Sequence, residues 1–194
     1  MKSFSHYLFR ALAPAAEVTK LELKLELGRM DAAYGRQDYR TAFAGFKKLA
    51  EQGNDIAQYF LGTMYELGQG VPKDEQQAMA WYRKAAEQGF AGAQFNLGVM
   101  YDNRRSVPED DQQAVAWYRK AAEQGFASAQ HLMGNMYYKG LGVSGDYQSA
   151  YFWWLLASAQ GHPDAVKNRD IVERDLLPEQ RAAAQAAARN WKPK

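Results

Sequence analysis

"WYRKAAEQGF" stands at residues 81–90 and again, letter for letter, at 117–126, a displacement of 36 positions. Extended backwards, "QQAMAWYRKAAEQGF" (76–90) faces "QQAVAWYRKAAEQGF" (112–126) with one change, Met79 against Val115. The same register runs through Gly53, Gly89, Gly125 and Gly161. Between those glycines lie "AQYFLGTMY" (57–65), "AQFNLGVMY" (93–101) and "AQHLMGNMY" (129–137). A fixed period of this length marks stacked supersecondary units.

Each unit reads as two helices. Ala57, Leu61, Met64 and Tyr65 share one helical face, and Ala78, Tyr82, Ala85 and Ala86 share another. The glycines at 53, 89, 125 and 161 stand where a helix ends in a left-handed residue. "ELGQGVPKDEQ" (66–76) joins the two helices, with Asp74 as N-cap. Gly62, Gly98 and Gly134 fall inside a helix, where glycine costs up to ~1 kcal/mol against alanine. Close approach of a neighbouring helix is the expected compensation, with Ala78 or Ala114 facing the glycine and Tyr65 or Tyr101 filling the gap.

These residues carry a resemblance. "AQFNLGVMYDNRRSVPEDDQQAVAWYRKAAEQGF" (93–126) resembles a Sel1-like repeat, a relative of the tetratricopeptide repeat, with its A-x-x-x-L-G-x-x-Y, D-x-x-x-A and W-x-x-x-A-A-x-x-G elements. The resemblance implies an all-α, right-handed α-solenoid of stacked antiparallel helix pairs, about five here, working as a protein-protein interaction scaffold or adaptor. Some cysteine-rich relatives are described as active on β-lactams, and the absence of cysteine here gives that carry-over little support.

The ends diverge as capping units should, because each meets water on one side. The expected division is an N-terminal segment (1–15), flexible or docking, then a degenerate capping pair (16–53). Three 36-residue repeats (54–161) and a C-terminal capping pair (162–194) follow, with Pro178 in the first turn of the last helix. The first sixteen residues hold no acid and place Phe4, Leu8 and Leu12 at helical spacing, which suits a terminal helix, a membrane surface or a targeting presequence. "YFWWLLASAQG" (151–161) is the most apolar helix, to be covered by the final helix or by a partner.

Composition narrows the function. Basic and acidic residues, 24 against 22, are interspersed with no basic stripe, which speaks against nucleic acid. No run reaches the ~20 apolar residues of a membrane helix. Without cysteine and without a recognisable secretory leader, the expected compartment is the cytoplasm. His6, His131 and His162 lack metal-ligand spacing, and no phosphate-cradling or nucleophile-elbow motif occurs. The expectation is therefore no catalytic residue, no metal and no cofactor.

The resemblance makes the L-G-x-x-Y helix the inner one, lining a concave groove. Its outward columns are Tyr59, Phe95 and His131; Thr63, Val99 and Asn135; Glu66, Asp102 and Tyr138; and Leu67, Asn103 and Lys139. These positions vary while the framework repeats, as expected of a groove for a protein or peptide partner. Arg104 and Arg105, where the sibling loops read "GQG" and "GLG", form a secondary candidate for an anionic group. Two alternatives stay open. One is a hydrolase directed at β-lactams or glycans with carboxylates in the groove, although Glu66 and Asp102, on helices at least ~8–10 Å apart, are too distant for a retaining pair and marginal for an inverting one. The other is a structural protein that self-associates, although a monomer is the expected state.

Overall fold

The computed structural model describes residues 15–103 and 110–194. The expectations for the N-terminal segment through residue 14 and for the Arg104–Arg105 loop lie outside the described residues. Among the described residues ten α-helices follow one another: α1 (Ala15–Gly35), α2 (Tyr39–Glu51), α3 (Asp55–Leu67), α4 (Glu75–Glu87), α5 (Ala91–Asp102), α6 (Asp111–Glu123), α7 (Ala127–Lys139), α8 (Tyr147–Ala159), α9 (Pro163–Val172) and α10 (Pro178–Asn190). There is no strand among the described residues. Consecutive helices pack against each other from α1 to α9, and α10 returns to pack on α8, giving the five stacked pairs of an all-α solenoid.

The punctuation is periodic. Asp38, Asp74, Asp110 and Asp146, each 36 residues after the last, cap α2, α4, α6 and α8 by accepting from the backbone N–H of Thr41, Gln77, Gln113 and Gln148. Each such cap contributes about 1 kcal/mol. At the far end of the same helices Gly53, Gly89, Gly125 and Gly161 take φ of +92°, +97°, +89° and +83°, values that a β-carbon would strain. Asn103, which ends α5 where its siblings have a left-handed glycine, stays at φ −100°.

Small residues set the spacing within each pair. A β-carbon on Gly62 would lie 2.7 Å from the Tyr82 ring, and the rings of Tyr118 and Trp154 lie over Gly98 and Gly134 in the same way. The gap beside these glycines is thus filled by the ring of the following helix, whereas Tyr65 and Tyr101 sit at its flank, half-buried. Tertiary contact decides this, because the ring and the glycine are twenty residues apart in the chain.

A polar ladder ties each pair to the next. Buried Gln58, Gln94 and Gln130 donate through Nε2 to the carbonyls of Ala50, Ala86 and Ala122, each at 3.1 Å. Their Oε1 atoms accept from Nε2 of Gln88, Gln124 and Gln160, each at 2.8 Å. No buried side-chain polar atom among the described residues lacks a partner. Satisfied polar networks of this kind favour a single register over a slipped one.

The apolar α8 is covered from within. Ala150, Tyr151, Trp154 and Ala157 form one core with Ala165 and Val172 of α9, Leu176, and Ala184 of α10. The Tyr151 hydroxyl accepts from Gln185 of α10 at 3.0 Å and donates to Glu173 at 3.1 Å.

Candidate functional site

The first column consists of aromatic side chains held half-buried by other rings. Tyr59 packs on Phe60, Tyr82 and Phe90 at centroid distances of 5.5, 5.8 and 4.9 Å. Phe95 packs on Tyr118 at 6.0 Å and Phe126 at 5.2 Å. His131 stacks on His162 at 4.4 Å with planes 23° apart. Each unit therefore repeats one arrangement in different chemistry: a column ring from the odd helix and a second ring from the N-cap position of the next odd helix.

The carboxylates of the third column face inward as well as outward. The Tyr82 hydroxyl donates to Glu66 Oε2 at 2.7 Å and lies 3.1 Å from Thr63 Oγ1, which itself donates to the Tyr59 carbonyl. In the next unit Val99 replaces the threonine, and the Tyr118 hydroxyl donates to Asp102 Oδ2 at 3.1 Å. Burial pushes both phenols well above their ordinary range, and the adjacent carboxylates push the same way, so both stay protonated donors. The third unit changes both partners together. Trp154 replaces the buried tyrosine, its Nε1 donates to the His131 carbonyl at 3.1 Å, and Tyr138 packs on Trp154 at 5.6 Å and Tyr147 at 5.2 Å.

Recesses open between the described helices, among them one towards each end of the array. Near the C-terminal end, Asn135, Tyr138, Lys139, Trp154, Asn168 and Ile171 line a cleft of about 240 Å³. Asn168 Nδ2 lies 3.2 Å from both His131 Nε2 and Asn135 Oδ1, which joins α9 to the column. At the other end an apolar cavity of about 360 Å³ lies among Leu27, Gly28, Phe46, Ile56 and Phe60, with Lys24 and Asp31 at its edge. Phe46, the counterpart of Tyr82, stacks on Phe60 at 4.8 Å, and a β-carbon on Gly28 would meet nothing within 4 Å.

All ten expected lining residues, Tyr59, Thr63, Glu66, Phe95, Val99, Asp102, His131, Asn135, Tyr138 and Lys139, are half-buried or exposed, as are Leu67 and Asn103. Sequence reading missed Phe90, Phe126, Asn168 and Ile171. Phe90 and Phe126 close the repeated "AEQGF" and read as framework, while Asn168 and Ile171 lie beyond the clean repeats. No cluster of three metal-ligating side chains occurs among the described residues, and no described helix is long and apolar enough to cross a membrane. Trp81 and Trp117 pack partly buried against the cores of adjoining pairs, under the ammonium groups of Lys84 and Lys120 at 3.9 Å.

A family model described as Sel1 repeat matches residues 25–54, 55–90, 91–126 and 127–162, so the first helix pair counts as a repeat from residue 25. Among solved structures, a Sel1 repeat protein from Oxalobacter formigenes is 36% identical over 75% of this chain and 58% of its own, with a TM-score of 0.72. A protective antigen of uropathogenic Escherichia coli strains, displaying an SLR fold, is 35% identical over 77% of this chain and 40% of its own, with a TM-score of 0.55. In both, the match spans less than two thirds of the other protein's length. No curated protein matches the chain.

Proposed function

Because this chain belongs to the Sel1 repeat family, whose members generally serve as protein-interaction scaffolds, we propose that it is a non-catalytic scaffold for a protein or peptide partner. The partner lies along α3, α5 and α7, contacting the columns of Tyr59, Phe95 and His131, of Thr63, Val99 and Asn135, and of Glu66, Asp102, Tyr138 and Lys139. One observation carries this reading: the column rings are pinned by other rings and keep an exposed edge, while their chemistry changes from unit to unit on an unchanging frame. Rings immobilised before binding lose little side-chain entropy on contact, which is what interface anchors need. In this reading α1–α2 and α9–α10 close the ends of the array.

The test compares capture by the native chain, by Tyr59→Ala/Phe95→Ala/Tyr138→Ala, and by the outer-helix control Lys84→Ala/Lys120→Ala. A partner held by the native chain and the control, and lost from a triple variant that remains helical, is the expected result. Equal retention by the triple variant would refute the groove.

A further inference from the structure

The duplicated decamer offers an internal comparison, because one copy is covered and the other is bare. At the second copy residues 191–194 fold back onto the turn that closes α6. Lys194 N–H donates to the Glu123 carbonyl at 2.9 Å, and Lys194 Nζ pairs with Glu123 Oε2 at 2.8 Å. A β-carbon at Gly125 would lie 3.5 Å from Pro193 Cγ and 3.7 Å from the Trp191 ring. Trp191 also packs, half-buried, against the core that contains α6.

At the first copy no described residue takes the tail's place, and the turn is touched by Gln124 Nε2, which donates to the Gly89 carbonyl at 2.9 Å. Among the described residues, a β-carbon on Gly89 would meet no atom within 4 Å, no backbone N–H donates to the Glu87 carbonyl across the turn, and the Glu87 carboxylate forms no ion pair. Glu87 and Gly89 are exposed, whereas Glu123 and Gly125, in an identical run of ten residues, are half-buried. That difference is the footprint of the tail. The helix beneath is the same in both places, down to Lys84 over Trp81 and Lys120 over Trp117 at 3.9 Å.

We propose that the turn Glu87–Phe90 is a docking site for an extended segment of sequence Trp-x-Pro-Lys carried by another protein, bound as residues 191–194 are bound at Glu123–Phe126. The glycine leaves a flat spot where a proline and an indole edge can lie. The preceding glutamate supplies a carbonyl for one N–H and a carboxylate for one ammonium, both at a helix end. Proline suits the occupant because it lowers the cost of holding the segment extended. The site lies on the turns between repeats and shares only Phe90 with the columns, so the Gly89 amide and the Glu87→Gln variant report on it apart from the groove.

The test uses the full-length ¹⁵N-labelled chain and the peptide acetyl-Asn-Trp-Lys-Pro-Lys-amide, followed by amide chemical shifts. Gly89 and Phe90 should move saturably while Gly125 and Phe126, covered in cis, stay still. Glu87→Gln should weaken the binding by roughly two- to fivefold, the range of an exposed ion pair. A full-length Trp191→Ala/Lys194→Ala chain should uncover the second turn, so that Gly125 moves too. A still Gly89 beside a moving Gly125 in that variant would overturn the equivalence of the two turns. Silence at both would overturn recognition of this segment in trans.

Discussion

The Tyr118 hydroxyl donates to Asp102 Oδ2 at 3.1 Å while the edge of its ring covers Gly98, so one side chain joins a core contact to the lining. Tyr118→Phe keeps the ring over the glycine and removes one hydrogen bond to a half-buried carboxylate that water still reaches. The expected loss is about 1 kcal/mol in urea unfolding, with little change in the helical spectrum.

Two glycines inside helices should respond to alanine with opposite sign. Gly98→Ala drives a methyl into the Tyr118 ring and should destabilise by about 1–3 kcal/mol despite the better helix propensity. Gly28→Ala, in α1, meets nothing within 4 Å and should stabilise by up to about 1 kcal/mol. Thermal unfolding of the two variants side by side checks both, and a shared sign would contradict the packing described.

Gln94 bridges two repeats, donating to the Ala86 carbonyl and accepting from Gln124. Gln94→Leu removes both bonds, leaving the Ala86 carbonyl with the Gly89 N–H and Gln124 Nε2 with the Gly89 carbonyl. A cost of about 1–2 kcal/mol follows, with hydrogen-exchange protection falling first at the junction of α4, α5 and α6. Loss spread evenly over the chain would show that the ladder does not set the local register.

His131 links pH to the seating of α9. Desolvation, and then the stacked His162, hold its pKa below the ordinary histidine value, while Asp164 opposes them. The unfolded chain therefore binds a proton more readily than the folded one. This contribution to stability is complete above the ordinary pKa of about 6.5 and is lost as pH falls through the lower folded value. The melting temperature should fall more steeply between pH 7 and pH 5 for the native chain than for His131→Asn, and parallel slopes would remove His131 as the cause.

The outward columns were legible because a period of 36 shows which positions repeat and which vary. Phe90 and Phe126 hid among the repeating letters, since a residue at the mouth of a helix can serve the lining and the frame together. The C-terminal cleft needed Asn168 and Ile171, whose unit has lost the motif that would have placed them in register.

By itself the sequence determined the helix pairs and that there are about five of them, because capping residues, left-handed glycines and apolar periodicity are local signals repeated along the chain. Only the tertiary structure decided which ring covers which glycine, that the Phe46–Phe60 stack borders an open cavity, and that Lys194 reaches Glu123 across 71 residues. Those outcomes depend on how neighbouring units share space, and no local pattern encodes the space left over.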